Sequence, residues 1–171
     1  HFQIKGKMIK SIKDIDWKKW SPKIRATLLF IFKENEILLI HKKTGLGKGK
    51  INAPGGKIEE GESPYDCAIR ETFEEVCVQP SDVKKAGELF FQFLDGLTIH
   101  GYVFYTDQYL GTPTETREAN PFWCSVDEIP YDKMWEDDIT WLPCLLSKDY
   151  FHGYYIFDDE KMIDAYVTTD F

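Results

Sequence analysis

The chain has 171 residues, of which 43% are hydrophobic and 15% aromatic, and its formal net charge at pH 7 is −8. This apolar content is enough to bury the core of one domain, and it excludes general disorder. No apolar run approaches the roughly 18 residues of a membrane span, and no apolar stretch follows the Lys-rich start as it would in a signal peptide. We therefore expect a cytoplasmic protein without membrane contact.

The four cysteines are scattered along the chain and form no CxxC pair. Zinc sites of the common type need such pairs, so the sequence predicts no zinc site. Isolated cysteines in a chain of this length are typical of reduced, partly buried thiols in the cytosol.

The charge is unevenly distributed. Residues 1–25 carry a net charge of +6, and the remaining residues carry −14. A basic arm can contact nucleic acid, but such an arm more often is solvated or folds onto its own acidic domain. Trp17 and Trp20 favour docking on the body of the protein. We expect a basic extension over residues 1–24, a domain over residues 25–171 and no stable nucleic-acid partner.

The first predicted elements are two strands followed by a glycine-rich loop. Residues 26–32 are a buried apolar run, residues 33–36 form a turn and residues 37–41 return as a strand. Residues 45–56 contain five glycines, which permit positive φ angles and close approach of the backbone to a ligand. A plain flexible connection is the alternative for this loop.

A strong helix start follows at Ser63. Its hydroxyl can cap the helix, Pro64 fits the first helical position and Asp66 stands where the acid of a capping box lies. The helix is predicted to end near Val76, because Pro80 limits its extension. The later segments predict a mixed α and β chain, with strands at 90–94, 97–106, 122–126, 150–157 and 161–167 and a helix at 136–147.

The two faces of the first helix differ in character. At about 100° per residue, a core face is predicted for Tyr65, Ile69, Thr72, Phe73 and Val76. The opposite face holds Glu71, Glu74 and Glu75, which repel one another unless a hard divalent cation such as Mg²⁺ or Mn²⁺ binds them. Arg70 can pair with Glu74 at a spacing of four residues. The alternative is a solvated acidic face, but the preceding glycine loop favours a metal and phosphate site.

The spacing across this region resembles the signature of a known family. Gly56, five residues, Glu62, seven residues and then residues 70–78 (RETFEEVCV) are similar to the Nudix box. Two positions differ from the pattern, because Thr72 replaces an aliphatic residue and Cys77 replaces a glycine that would serve as a left-handed helix cap.

The resemblance implies an α+β fold, the Nudix α/β/α sandwich with a mixed β-sheet, and hydrolysis of a nucleoside diphosphate linked to another group. It implies Mg²⁺, with Mn²⁺ as a possible substitute, bound by the carbonyl of Gly55 and by Glu71, Glu74, Glu75 and Glu118. The implied catalytic residues are Glu71, Glu75, Glu118 and Arg70. Either Glu71 or Glu118 could be the general base.

A second resemblance concerns residues 128–167, with MWEDDITW at 134–141 and FHGY at 151–154. This stretch is similar to the oxidised-purine nucleoside triphosphatases, the MutT-homologue branch of the family. It places Leu46 and Ile99 at wall positions of a base pocket. The substrate-binding residues that it implies are Thr27, Lys42, Asn52, Phe91, Phe93, Trp135, Asp137, Asp138 and Trp141.

The chemistry of these side chains fits a purine site. An indole such as that of Trp135 stacks on any base, and the amide of Asn52 offers both a donor and an acceptor. Two adjacent buried acids, Asp137 and Asp138, would share one charge, so that one carboxyl stays protonated and donates a hydrogen bond. Without the resemblance, the acids would simply start a helix and the aromatics would be core residues.

The sequence therefore predicts a Mg²⁺-dependent pyrophosphohydrolase that removes oxidised purine nucleoside triphosphates of the 8-oxo-dGTP type from the nucleotide pool. The products would be a nucleoside monophosphate and pyrophosphate, and the protein would act on its small-molecule nucleotide as a monomer or weak dimer. One alternative is another Nudix substrate, namely a dinucleoside polyphosphate, a nucleotide sugar or an RNA 5′ end. A second alternative is a non-catalytic nucleotide-sensing domain.

Overall fold

A computed structural model describes residues 3–4 and 7–171. The helices are α1 (Pro64–Val76) and α2 (Asp138–Leu146), with short 3₁₀ turns at Ile12–Asp14 and Tyr131–Lys133. The strands are β1 (Gln3–Ile4), β2 (Lys7–Met8), β3 (Ile24–Lys33), β4 (Glu36–Lys42), β5 (Ile51–Asn52), β6 (Gly55–Lys57), β7 (Gln79–Ser81), β8 (Lys84–Phe93), β9 (Thr98–Thr106), β10 (Gln108–Leu110), β11 (Ala119–Ser125), β12 (Phe151–Asp158) and β13 (Lys161–Thr168). Within the described ranges, no helix is long and apolar enough to cross a membrane.

Most strands form one mixed sheet in the order β11-β4-β3-β9-β8-β12-β13. The pairs β3–β9 and β8–β12 are parallel, and the other neighbours are antiparallel. Strands β3 and β4 pair only near their hairpin, where Phe32 lies opposite Ile37. Beyond that point they diverge, and β6 pairs with β3 so that Gly56 lies opposite Thr27. This opening in the sheet places the second half of the glycine loop beside α1.

The sheet separates two apolar layers because successive side chains on a strand point to opposite faces. On one face α1 packs against the sheet, in a cluster that includes Leu29, Ile31, Leu38, Ile40, Ala68 and Val76. On the other face α2 does so, in a cluster that includes Phe30, Ile37, Leu39, Trp141, Leu142 and Leu145. The predicted α/β/α sandwich with a mixed sheet is confirmed.

The start of α1 is the one predicted from the sequence. The Ser63 hydroxyl accepts a hydrogen bond from the N–H of Asp66 at 3.0 Å, and Pro64 opens the helix. At the other end Cys77 adopts a left-handed conformation with φ of 64°, and its N–H donates to the carbonyl of Phe73 at 2.9 Å. The position therefore keeps the conformation of a glycine cap although a cysteine occupies it.

Replacement of Cys77 by Gly is expected to stabilise the protein by about 0.5–1 kcal/mol, because an L side chain is strained at positive φ and glycine is not. The gain is limited by the larger unfolded-state entropy of glycine. For a chain of this size the melting temperature should rise by about 1–4 °C. A melting temperature below that of the wild type would show that the strain relieved at this position is smaller than the entropy cost of glycine.

The predicted core face of α1 is wrong in two of its members. Phe73 is 53% exposed and Tyr65 is 40% exposed. The helix instead turns its smaller residues toward the sheet, since its buried side consists of Cys67, Ala68, Thr72, Glu75 and Val76. Small side chains allow the helix to approach β3 and β6 closely, and the inward turn of a carboxylate shifts the buried face away from Phe73.

The Phe73→Ala substitution is accordingly expected to lower the free energy of unfolding by no more than about 1 kcal/mol, as for other surface positions. A fully packed phenylalanine would cost about 3–5 kcal/mol. Urea unfolding of the variant measures the difference directly. A loss of about 3–5 kcal/mol in the free energy of unfolding would place Phe73 in the core and contradict the observed helix rotation.

The N-terminal segment packs against the domain as Trp17 and Trp20 predicted. The Trp20 indole donates to the buried Gln92 side chain at 3.0 Å, and the Trp17 ring lies 5.0 Å from that of Tyr154. A small apolar cluster joins this segment to the ends of β8 and β12 through Ile9, Ile15, Leu94 and Ile156. Residues 1–2 and 5–6 of the predicted extension lie outside the described residues.

Candidate active site

Three carboxylates meet beside the opening in the sheet. Glu71 and Glu75 are four residues apart and share one face of α1. Glu118 directly precedes β11, which pairs with β4 and so brings this side chain to the same place. One carboxylate oxygen from each residue lies within 4.8 Å of the other two. The structure therefore brings together three of the residues that the sequence proposed as metal ligands.

Glu75 is the most deeply buried member of this group, with 1% of its surface exposed. Its Oε1 accepts a hydrogen bond from the N–H of Gly55 at 2.9 Å, whereas its Oε2 has no hydrogen-bond partner among the described residues. Burial raises the pKa of Glu75 to about 7, although the Gly55 N–H and the charge of Lys42 oppose the shift. A buried oxygen without a partner, beside two further carboxylates, is the electrostatic setting that a cation would relieve.

The glycines at 55 and 56 are required by the close packing around this group. A Cβ at Gly55 would collide with the backbone of Thr27, and a Cβ at Gly56 would collide with the Glu71 carboxylate. Glycine is the only residue that permits both approaches. Gly55 itself contacts the carboxylate group through its N–H, which donates to Glu75.

Arg70 holds the outer side of the group. Its guanidinium donates to both oxygens of Glu62, at 2.7 and 2.9 Å, and to Glu71 at 3.0 Å and Glu74 at 3.1 Å. The hydrogen bonds from Arg70 lower the pKa of Glu62 to about 2. Burial raises the pKa of Glu71 against the effect of Arg70. Arg70 therefore orients the carboxylates on the outer side of the group.

Glu74 does not join the other carboxylates. It is exposed on the outer side of α1, where it pairs with Arg70 as the spacing of four residues predicted. Its position follows from helix geometry, because Glu71 and Glu75 lie one turn apart whereas Glu74 is rotated by about 100° from Glu75. Among the four carboxylates proposed as ligands, Glu74 is the one that lies outside the group.

The donor set fits a hard divalent cation. It consists of carboxylate oxygens, which Mg²⁺ and Mn²⁺ prefer to nitrogen or sulfur ligands. The unpartnered Oε2 of Glu75 points to the same conclusion, since a buried polar atom without a hydrogen bond is rare. Glu71, Glu75 and Glu118 are the residues that would hold the ion.

An apolar cavity of about 140 Å³ lies on the other side of β3 from this group. Thr27 lines the cavity and pairs with Gly56 of the glycine loop. The cavity therefore lies only one pair of residues away from the carboxylates. Seven of the predicted substrate-binding residues line it: Thr27, Asn52, Phe91, Phe93, Trp135, Asp137 and Asp138. The predicted wall residues Leu46 and Ile99 line it as well.

Lys42 lies between the glycine loop and the carboxylates instead of in the cavity wall. Its side chain runs past Gly45 and Gly47, where added Cβ atoms would lie 3.9 and 3.7 Å from it. Its charge acts on Glu75, whose pKa it lowers. This position suits a contact with phosphate groups better than one with a base.

The two acids at the start of α2 are both buried, at 3% and 4% exposure. Asp137 accepts a hydrogen bond from the Trp141 indole at 2.7 Å, whereas Oδ2 of Asp138 has no partner among the described residues. Burial raises the pKa of both acids, and the charge of Asp137 raises that of Asp138 further. Burial thus disfavours a second negative charge on the pair, so that the two acids would share a proton at the cavity wall.

The prediction that Trp141 lines the pocket is corrected by the structure. Trp141 is 0% exposed, because it lies in the layer between α2 and the sheet and stacks on Phe151. Its indole N–H orients Asp137, so it acts on the cavity through that carboxylate. The Asp137 carbonyl in turn accepts from the Thr140 hydroxyl, which also bonds the Tyr155 hydroxyl at 2.7 Å.

Part of the cavity wall was not predicted. Strand β9 contributes Gly101, Tyr102 and Val103, and the other unpredicted lining residues are Ala26, Leu28, Leu89 and Phe157. Strand alternation predicts which residues of one strand share a face, but it does not say which strands border a cavity. That information depends on the sheet order, which the sequence pattern did not provide.

The fold and the site together define the class of protein. The MutT protein of Bacillus halodurans superposes with a TM-score of 0.76 and 22% identity, over 86% of this chain and 99% of that chain. The solution structure of the E. coli ORF135 protein superposes with a TM-score of 0.62, over 72% and 89%. These similarities establish that the chain shares its fold with both structures.

The NUDIX domain family model matches residues 22–145, and the chain therefore belongs to this family. Hydrolases of the family generally use divalent metal ions, in agreement with the carboxylate group. The oxidized purine nucleoside triphosphate hydrolase of Mus musculus is 38% identical over 143 residues, which cover 82% of this chain and 90% of that protein. The protein of the same name from Danio rerio is 37% identical over 138 residues, or 80% and 88%.

Proposed function

We propose that the protein hydrolyses oxidised purine nucleoside triphosphates of the 8-oxo-dGTP type to the nucleoside monophosphate and pyrophosphate. The observation that carries this proposal is the pair of adjacent buried acids, Asp137 and Asp138, facing an aromatic cavity next to the three carboxylates. The identity of 37–38% to hydrolases of that name, over at least 80% of the chain, supports it. The biological role would be the removal of oxidised nucleotides before a polymerase incorporates them.

The base would enter the cavity between aromatic side chains. Phe93 is buried and Trp135 is half-buried at its wall, and their rings meet edge to face with centroids 6.4 Å apart. Each stacked base gains roughly 1–3 kcal/mol with little dependence on its identity. Stacking therefore binds the purine but does not select it.

Selection would come from the polar groups around the cavity. Asn52 Oδ1 accepts the N–H of Ala53 at 2.9 Å, which orients its amide. Asp137 and Asp138 would share one proton, so the pair would present a hydrogen-bond donor and a charged acceptor side by side. A base whose edge does not match leaves a buried polar group unpaired, at a cost of about 1–3 kcal/mol.

The triphosphate would lie along the opening in the sheet, toward the carboxylates. A bound Mg²⁺, or Mn²⁺ in its place, would supply the positive charge and Lewis acidity that favour attack of water on phosphorus. Glu71, Glu75 and Glu118 would hold the ion, with the carbonyl of Gly55 as a further proposed ligand, while Glu74 remains a proposed ligand only through the resemblance. Glu71 and Glu118 are the candidates for the proton acceptor, and Lys42 would offset negative charge on the phosphates.

We further propose that the protein works in the cytoplasm as a monomer or weak dimer, on a small nucleotide and without nucleic acid as a partner. Four free cysteines support a reducing compartment. Residues 1–24 would be an extension to a catalytic domain formed by residues 25–171.

A substrate panel tests the proposed function. Oxidised and normal purine triphosphates, a dinucleoside polyphosphate, an ADP-sugar and a capped RNA 5′ end are each incubated with Mg²⁺ or Mn²⁺, and monophosphate and pyrophosphate are measured. We expect the largest kcat/KM for an oxidised purine triphosphate. A larger value for the ADP-sugar, the polyphosphate or the RNA end would replace the proposed substrate, and no turnover of any compound would favour a sensing domain.

A further inference from the structure

Lys50 lies in the glycine-rich loop, but neither the sequence pattern nor the comparisons assign a role to its side chain. Its ammonium group is positioned over the indole of Trp135, 5.2 Å from the ring centroid. Lys50 does not itself line the cavity, whereas Trp135 does. A cation in this position attracts the π-face of the ring and restrains its orientation from outside the cavity.

The ammonium group also forms an ion pair with a carboxylate that is 60% exposed. Lys50 Nζ lies 2.7 Å from Glu160 Oε1, at the turn between β12 and β13, and the side chain of Lys50 is only 25% exposed. The same hairpin holds the segment that carries Trp135, because the N–H of Met162 donates to Glu136 at 2.6 Å. One turn of the chain therefore anchors both the loop and the indole segment.

The glycine loop contacts the indole from a second position. Gly47 has a φ of +86°, and a Cβ there would lie 2.9 Å from the indole nitrogen of Trp135. Backbone hydrogen bonds stabilise the loop at this contact. The N–H of Gly49 donates to the carbonyl of Lys42, and the N–H of Lys50 donates to the carbonyl of Gly47. The indole is thus enclosed between the loop and the Phe157 ring, whose centroid is 5.7 Å away.

We propose that Lys50, anchored by Glu160, is a positioning residue that holds Trp135 as the stacking wall of the base cavity, an inference that rests on the proposed function. Binding to a wall that is already oriented avoids the entropy of ordering it, so the contribution appears in the affinity for the base. It does not appear in the chemical step, which takes place at the carboxylates.

The first experiment compares Lys50→Met, Lys50→Arg and Lys48→Met with the wild type. Lys48 is an exposed lysine of the same loop and serves as the matched control. For Lys50→Met we expect the KM for 8-oxo-dGTP, and the Kd for 8-oxo-dGMP measured by calorimetry without metal, to rise by about 3- to 10-fold. The kcat should stay within about twofold, because the variant leaves the transition state at phosphorus untouched. Lys50→Arg should restore most of the affinity, and Lys48→Met should match the wild type.

Two further variants test the position of Trp135 by changing other residues around it. Glu160→Gln keeps the ammonium group of Lys50 but removes its ion pair. It should raise the Kd for 8-oxo-dGMP by a smaller factor than Lys50→Met does. Gly47→Ala should displace the ring through its Cβ and raise the KM as well. Inhibition by inorganic tripolyphosphate, which has no base, should be unchanged in all of these variants.

The outcomes separate this inference from the proposed function. If the wild type binds 8-oxo-dGMP and Lys50→Met binds it equally well, the positioning role is wrong. If Lys50→Met loses tripolyphosphate inhibition in proportion to its loss of nucleotide binding, Lys50 contacts phosphate and the inference is overturned. If the wild type neither binds nor hydrolyses any oxidised purine nucleotide, the proposed function fails and this inference fails with it.

Discussion

The Glu75→Gln substitution is expected to abolish most of the hydrolytic activity with Mg²⁺, lowering kcat/KM by more than about 100-fold. Loss of a residue that only supports a metal ligand typically costs 10- to 100-fold, so loss of a ligand should exceed that range. Gln retains the shape and can still accept the hydrogen bond from Gly55, but it cannot supply the negative charge. Steady-state kinetics on an oxidised purine triphosphate measure the loss.

The matched control is Glu74→Gln, one residue away on the same helix. Its carboxylate pairs with Arg70 outside the group formed by Glu71, Glu75 and Glu118, so we expect a much smaller loss of activity. Both variants should stay folded, and Glu75→Gln should not lower the melting temperature, because it removes a buried charge. Equal losses in the two variants would mean that Glu74 belongs to the metal site, and near-normal turnover of Glu75→Gln would remove Glu75 from it.

Helix α1 shows where prediction from the sequence succeeds and where it stops. Its start is local chemistry, since Ser63 and Pro64 satisfy the first turn whatever the rest of the chain does. Its orientation is not local. The helical periodicity of apolar residues placed Phe73 in the core, but the packing instead turned Ala68 and Glu75 inward, against β3 and Gly55.

The residues of the candidate site also divide into those that the sequence predicts and those whose role depends on tertiary packing. The spacing of Glu71 and Glu75 follows from helix geometry and could be read directly, and the resemblance added Glu118 from a distant loop. Trp141 has the right residue type for a base pocket, but burial behind Asp137 decides its role. The contact between Lys50 and Glu160 joins residues 110 positions apart, and no local pattern indicates such a pair.

The conformation of Cys77 shows a third case. The family pattern predicts a left-handed helix end at this position, and the structure keeps that conformation although the residue is not glycine. A distant loop contacts this helix end, because the N–H of Thr114 donates to the carbonyl of Val76. Tertiary contacts thus outweigh the intrinsic preference of a single residue.

The Asp138→Asn substitution is expected to change the order of substrates instead of lowering all activities together. Both carboxyls are buried at the cavity wall, and burial favours retention of a proton by the pair, within which it can move between Asp137 and Asp138. An amide fixes the pattern of donors and acceptors and removes this freedom. We expect the ratio of kcat/KM for oxidised over normal purine triphosphates to change by about 10- to 100-fold, from an unpaired group worth about 1–3 kcal/mol. Trp135→Ala, in contrast, should weaken all purine substrates by similar factors, because stacking does not select among bases.

The Asp138→Asn variant is also expected to be more stable than the wild type at alkaline pH. Burial raises the pKa of Asp138 in the folded protein above its value of 3.8 in the unfolded chain. Its contribution to stability is therefore fully present below pH 3.8 and is lost as the pH rises toward the folded pKa, by about 1.4 kcal/mol for each unit of the shift. Asn does not titrate, so the difference in melting temperature between Asp138→Asn and the wild type should grow from pH 4 to pH 8. A difference that is constant over this range, together with an unchanged order of substrates, would mean that Asp138 is an ordinary ionised residue at the start of α2 and takes no part in recognising the base.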